Sequence, residues 1–289
     1  MLALSKADVT LIERSLPLVK AIKERGLRLE GASGEVHAKV PILMSPPSVG
    51  EKFDLVILAV KAYDTKRATM DVAPVVAERG ILLCLQNGIG VEYEARDTLG
   101  RNAVLRGVTN YGALLKEPGV VVNTGKGETF VGAMDERLSD KARMVSEVLT
   151  NAGLSTGVAD DIRKVVWQKT LVNAGINPLG ALTGLRNGDL VSMEDLRGLM
   201  VDTVSEGSRV AKKLGLNFDE DPIEHTLKVA EATAKNKNSM LQDVEVGRRT
   251  EIDYMNGAIW KVGSEIGVPT PMNRMLTVLV KGLETHFKA

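Results

Sequence analysis

Three polar side chains stand four apart in an otherwise apolar run, Val165-Val-Trp-Gln-Lys169-Thr-Leu-Val-Asn173-Ala-Gly-Ile-Asn177-Pro178. On a helix each step of four residues turns about 400°, so Lys169, Asn173 and Asn177 stay within roughly 80° of one face. A lysine and two amides in one stripe of a buried helix need partners, because unpaired buried polar groups cost free energy. Either the stripe is a polar helix–helix contact, with Asn177 only the helix end before Pro178, or it is turned to a ligand. Lys61 follows the apolar run 54–60, and Asn87 follows the run 81–85. Both sit at the carboxyl ends of strands, where open α/β sheets bind ligands, so together they point to a pocket. Other candidates have plain structural alternatives. Asn187-Gly188 can be a turn, and Asn238 or Ser239 can cap a helix. Taken alone, Glu251 and Asp253 pass for first-turn acids on a solvated helix.

The elements that must hold these residues change character along the chain. Residues 8–13 read as a short β-branched strand, and 18–25 as a helix ending at Gly26. The run 54–60 reads as a parallel strand buried on both faces, 64–78 as an amphipathic helix, 81–85 as a second buried strand, and 91–99 as a helix. This alternation implies βαβ units and a parallel sheet with helices on both faces. From Ala103 to Gly132 short strands with Gly and Pro turns predict a mixed or antiparallel edge, followed by a helix over 137–151. Gly125-Lys126-Gly127 with Gly132 lacks the strand and helix of a phosphate loop and reads as a β-turn. From Asp161, a candidate cap, the chain reads as helices over 161–177, 189–214, 220–235, 238–247, 252–267 and 271–287. The boundary falls near 155–163, giving domains 1–158 and 159–289.

The front of the chain departs from this pattern. In a dinucleotide-binding fold the second strand ends with the group that reads the adenosine ribose. Here that strand ends in Glu13-Arg14. An acid there favours a free 2′-hydroxyl, whereas an arginine accommodates a 2′-phosphate. A strand, a glycine-rich turn and a helix should precede it, yet Met1–Ala7 contains no glycine and suffices only for the tail of that helix. The missing strand would lie at the centre of the order 3-2-1-4-5-6. The expectation is therefore a sequence that begins downstream of the true start, rather than a natural protein that has lost its nucleotide cradle.

Composition narrows the partners. The 289 residues include 37 basic and 37 acidic side chains, a zero net charge that argues against nucleic-acid binding. Cys84 is the one cysteine and His37, His225 and His286 are far apart, so no disulfide framework, thiolate cluster or zinc site is expected. No targeting segment or membrane-length apolar run is visible. The expectation is a cytoplasmic protein, with oligomeric state left open and a homodimer among the options.

The stretches Val60-Lys61-Ala-Tyr-Asp64, Leu85-Gln-Asn87-Gly88, Trp167 to Pro178, Asn238-Ser239-Met-Leu-Gln-Asp243 and Thr250-Glu251-Ile-Asp-Tyr-Met-Asn256-Gly257 together resemble the ketopantoate reductase family. The resemblance covers essentially the whole chain. It implies an α/β Rossmann-type N-terminal domain, here with its first strand missing, followed by an all-α domain, with NADPH in the cleft. By the same resemblance Lys169 is the general acid, Glu251 contacts cofactor ribose and substrate, and Asn173, Asn177, Asn187 and Ser239 bind substrate. Arg14, Lys61 and Asn87 fall on the cofactor side. The implied reaction is reduction of 2-dehydropantoate to pantoate, a step towards pantothenate and coenzyme A. The alternatives are a reductase or dehydrogenase of another 2-keto or 2-hydroxy acid, or a non-catalytic remnant. The departures are the absent glycine loop and Arg249, which stands where the family often has proline.

Overall fold

The apolar runs of the first half become strands. The computed structural model describes residues 1–5, 7–31, 34–47, 50–100, 103–125 and 127–287, and these form two compact units. The first comprises Met1–Val60, Asp64–Leu85 and Glu92–Ile162. Its elements are β1 (Leu11–Ile12), α1 (Leu16–Arg25), β2 (Leu27–Gly31), β3 (Val36–Ala38), β4 (Ile42–Leu43), β5 (Phe53–Leu58), α2 (Thr65–Val72), β6 (Val76–Cys84), α3 (Val91–Leu99), β7 (Val104–Thr109), β8 (Gly112–Glu117), β9 (Val120–Gly125), β10 (Thr129–Ala133), α4 (Ser139–Asn151) and β11 (Thr156–Val158). The main sheet has the order β11-β10-β7-β6-β5. It is parallel except where β10 runs against β7. Ile81, Leu83, Leu105 and Val131 from its strands bury against Ala142, Val145 and Leu149 of α4.

Several boundaries differ from the sequence expectation. The 54–60 run is only partly buried, whereas Ile81 to Cys84 is fully buried. The reason is position: β6 has a neighbour on each side, while β5 is the edge of its sheet among the described residues. The 64–78 helix stops at Val72, passes through a 3-10 turn containing Pro74, and yields to β6 at Val76. Proline lacks the N–H and restricts the residue before it, which ends the α-helix there. Of the 8–13 strand, Leu11–Ile12 alone forms a ladder, parallel to Ile42–Leu43 of β4. The 103–132 segment, expected to be a mixed or antiparallel edge, is mixed: β7–β10 and β8–β9 pair antiparallel, while β7 is parallel to β6 and β9 to β2. β8 and β9 leave the main sheet to join β2 and β3 in a separate four-stranded one. Gly125 ends β9 and Gly127 precedes β10, while Lys126, within the expected β-turn Gly125–Gly127, lies outside the described residues, as does Lys6.

Inside the main sheet the side chain of Arg106 on β7 is buried. Its Nη1 donates to the carbonyls of Cys84 (2.9 Å) and Gly107 (3.0 Å), and its Nε faces Glu92 at 3.3 Å. Burial pushes the Cys84 thiol up to about 12, with Arg106 and Glu92 acting in opposite directions and more weakly.

The second unit is helical. It holds α5 (Ile162–Thr183), α6 (Asn187–Ser192), α7 (Glu194–Lys213), α8 (Pro222–Ala232), α9 (Ser239–Glu245), α10 (Asn256–Glu265) and α11 (Pro271–Glu284). It also includes Lys61–Tyr63 and Gln86–Val91, two short segments from the first half of the chain. Trp167, Leu171 and Ala174 of α5 pack with Val204, Val210, Ala211 and Ile259, forming one core around the apolar side of α5. Among the described residues no helix is long and apolar enough to cross a membrane.

Candidate active site

The segment Glu251–Asn256 meets Lys61 and Ala62, the Asn87 loop and Asn177 of α5. Glu251 is 5% exposed, so it is not a solvated first-turn acid. Its Oε1 accepts the backbone N–H of Ala62 at 2.8 Å, and its Oε2 lies 3.8 Å from Lys61 Nζ. Lys61 also pairs with Asp243 of α9, itself buried. One partly exposed ammonium thus faces two buried carboxylates. Arg248 adds a longer contact to Asp243, at 3.4 Å. Asp253, by contrast, pairs at the surface with Arg249 and Lys281. Arg249 also lies over the Tyr63 ring, 4.7 Å from its centroid.

Three residues on from Glu251, Tyr254 receives the Asn87 loop. The Ile89 N–H donates to the Tyr254 carbonyl at 2.8 Å. Gly88 has φ +89°, and a Cβ there would come 2.5 Å from that same carbonyl oxygen. Only glycine combines this left-handed backbone with so close an approach. The loop is therefore held tightly beside Asn87, which is half-buried.

The next residue, Met255, meets the stripe on α5. Asn177 Nδ2 lies 3.7 Å from Met255 Sδ, and Asn177 is buried. Asn173 and Lys169, one and two turns nearer the start of α5, are half-buried. Asn177 does not end the helix, which continues through Pro178 to Thr183. Proline has no N–H for the Ala174 carbonyl, and Asn256 Nδ2 donates to that carbonyl instead, at 3.0 Å.

Ser239 is the first residue of α9. Its cap is Asn238, whose Oδ1 accepts the Leu241 N–H at 2.9 Å. The exposed Ser239 hydroxyl is thus not spent on capping. The α9 start also abuts α5, since a side chain at Gly180 would collide with the Asn238 amide. Asn187 is placed differently: its Nδ2 donates to Thr233 Oγ1 at 2.9 Å, and its N–H to the Asn236 carbonyl at 3.1 Å. Those contacts fasten α6 to the end of α8. Asp243 and Asn256 were not singled out by sequence reasoning, although both lie inside the stretches that carry the resemblance.

Arg14 belongs to the first unit. Its exposed side chain reaches Asp71 at 3.5 Å, a weak surface pair. The neighbouring Glu13 turns back to its own chain, with Oε1 accepting the Ser15 N–H at 2.7 Å. Arg14 is thus an exposed cation whose chemistry suits an anionic group. Residues 1–25 contain no glycine, and the turn into α1 is built from Ser15 and Pro17. Among the described residues no group of three or more His, Cys, Asp or Glu side chains could hold a metal.

The described "Ketopantoate reductase PanE/ApbA" family matches residues 1–136, and "Ketopantoate reductase PanE/ApbA C terminal" matches residues 161–284. The chain belongs to the ketopantoate reductase family. Among similar family members, a 2-dehydropantoate 2-reductase of Archaeoglobus fulgidus is 40% identical over 287 residues, covering 99% of this chain and 92% of that protein. One of Pyrococcus horikoshii is 38% identical, covering 96% and 90%. A PanE/ApbA family ketopantoate reductase structure from Ralstonia eutropha superposes with TM-score 0.90 at 32% identity, over 98% of this chain and 93% of that one. A ternary structure of D-mandelate dehydrogenase with NADH and anilino(oxo)acetate reaches TM-score 0.92 at 28% identity, over 99% and 93%. The family's arrangement of a Rossmann-like sheet followed by an all-α unit is the one described above.

Proposed function

We propose that this ketopantoate reductase family member reduces 2-dehydropantoate to pantoate with NADPH, on the route to pantothenate and coenzyme A. Residues 1–158 serve as the dinucleotide-binding part and 159–289 as the substrate-binding part. The observation that carries the proposal is the meeting of Lys61, the Asn87 loop and Asn177 of the α5 stripe on one segment, Glu251–Asn256. The named relatives supply the substrate.

A bound nicotinamide would supply the hydride. The chain supplies the rest. Lys169 holds its proton at Nζ and faces the carbonyl oxygen on which negative charge develops, stabilising that charge and then protonating it. Asn173 and Asn177 bind the substrate hydroxyl, and the Ser239 hydroxyl binds the carboxylate without adding charge. Glu251 and Lys61 hold the ribose side, with Asn87 beside them. Arg14 takes the 2′-phosphate, and the turning of Glu13 towards Ser15 supports NADPH over NADH. Asn187 joins the substrate-binding set, with its Nδ2 on Thr233 Oγ1 fixing α6. The enzyme is cytoplasmic in this proposal, and a homodimer is its assembly.

The D-mandelate dehydrogenase likeness favours a second reading, interconversion of an aryl 2-keto acid and its 2-hydroxy acid. Initial rates of NADPH and NADH consumption with 2-dehydropantoate, phenylglyoxylate and pyruvate separate the two. Highest kcat/KM with NADPH and 2-dehydropantoate is expected. A preference for phenylglyoxylate, or no turnover with any of the three, would overturn the first reading.

A further inference from the structure

The gap that Pro178 leaves in α5 falls between the two substrate amides. Ala174 directly follows Asn173, and Pro178 directly follows Asn177, so the unmatched carbonyl belongs to the turn that joins them. Ala174 is fully buried, and a carbonyl without a donor there would be unsatisfied. The donor comes from α10: Asn256 Nδ2 lies 3.0 Å from the Ala174 oxygen and 3.1 Å from Asn273 Oδ1.

The orientation of this amide follows from its neighbours. Asn273 Nδ2 lies 2.9 Å from Glu206 Oε2 and 3.0 Å from the Thr203 carbonyl. Glu206 is fixed in turn by the N–H groups of Met272 and Asn273, at 2.9 and 3.1 Å. The Thr203 carbonyl can only accept, so Asn273 must turn its NH2 to it and its Oδ1 to Asn256. Asn256 must then present its own NH2 to Asn273 and Ala174. Its Oδ1 is left buried without a hydrogen-bond partner, whereas a flipped amide would set oxygen against oxygen at two contacts. The relay Glu206, Asn273, Asn256 thus delivers one donor to one carbonyl.

We propose that Asn256 is a positioning residue for the substrate stripe: through the Ala174 carbonyl it replaces the N–H missing at Pro178 and fixes Asn177 relative to Asn173 and Lys169. The proposal rests on the reductase function proposed above. Because Asn256 lies on the same segment as Glu251, it also ties the stripe to the acid that holds Lys61.

A double-mutant cycle with Pro178→Ala tests the bridge directly, since alanine at 178 restores the backbone donor. Asn256→Ala alone is expected to lower kcat/KM for 2-dehydropantoate about tenfold to a hundredfold, the penalty typical of a small misplacement. NADPH affinity by fluorescence titration should stay within about twofold. In Asn256→Ala/Pro178→Ala, kcat/KM should return to within about threefold of Pro178→Ala alone. Unchanged kinetics for Asn256→Ala, or a double variant no better than the single, would overturn the proposal. Should Asn256→Ala fail to fold, the double variant carries the test, and its failure to fold while Pro178→Ala folds overturns the proposal as well. The same cycle read by Tm does not need turnover. If the wild-type protein proves inactive on 2-dehydropantoate, the function falls, while suppression of the Asn256→Ala loss of Tm by Pro178→Ala still supports the bridge and its absence still refutes it.

Discussion

At Lys61 a single ammonium serves Asp243 and Glu251, both buried. Loss of Lys61 leaves Asp243 with the longer Arg248 contact at 3.4 Å and takes from Glu251 the ammonium 3.8 Å away. Removing one partner of a buried pair typically costs about 3–5 kcal/mol, so Lys61→Met should lower stability by that order in urea denaturation. An unchanged urea midpoint would show that solvent already screens the pair. Lys169 is expected to act on chemistry rather than stability. Lys169→Ala should lower kcat by roughly 10²–10⁴, the range for general acid catalysis, with NADPH affinity nearly intact. Unchanged turnover would remove Lys169 as the acid. Ser239→Ala should chiefly raise KM for the keto acid, because the exposed hydroxyl is not needed as a cap; an effect confined to cofactor affinity would refute that role. The lysine–asparagine stripe was legible in the sequence because helical spacing is fixed by geometry alone. Glu251 was legible only through resemblance. Its burial depends on Ala62, 189 residues away, and nothing local to Arg248–Tyr254 signals it.

At the scale of elements, the Asn87 loop and α5 show what sequence patterns can and cannot convey. The strand–helix alternation over 53–99 was readable because runs such as Ile81-Leu-Leu-Cys are apolar throughout. β2 and β3 were not singled out: Leu27–Gly31 and Val36–Ala38 carry Arg28, Glu30 and His37, and β2 gains its second partner from β9, far along the chain. Pro178 looked like a stop signal, as it would be in an isolated helix, where an interior proline costs about 3 kcal/mol. Its tolerance comes from Asn256, which local spacing does not predict. The Asn87 loop gives a sharper test. Gly88→Ala meets both an unfavourable left-handed backbone and the Tyr254 carbonyl at 2.5 Å, so it should destabilise by more than about 1 kcal/mol. It should also raise KM for substrate or cofactor. An alanine variant with wild-type Tm and kinetics would mean the loop does not need its tight seat.

For the molecule as a whole, the buried thiol makes stability depend on alkaline pH. The ordinary Cys84 value of 9.0 is raised to about 12 by burial. Below about 9 the thiol is neutral in both folded and unfolded chains, and its contribution is fully present. Between about 9 and 12 the unfolded chain ionises first, so stability falls as pH rises, by on the order of 4 kcal/mol over the interval. Urea midpoints from pH 8 to 11 for wild type and Cys84→Ala should diverge only above about 9; parallel curves would place the alkaline loss elsewhere. Native Cys84 should also resist alkylation at pH 8.

The helical unit reclaims Lys61–Tyr63 and Gln86–Val91 from the first half of the chain, which bears on modularity. A gene cut after Ile162 looks clean in the sequence, but its downstream product would lack the backbone N–H that holds Glu251 and the ammonium shared with Asp243. Its Tyr254 carbonyl would lose the Ile89 donor as well. Recombination or gene fission at that point would therefore pass on helices without the Lys61 ammonium and the two backbone donors of Ala62 and Ile89, so the two halves are expected to be inherited, expressed and exchanged together.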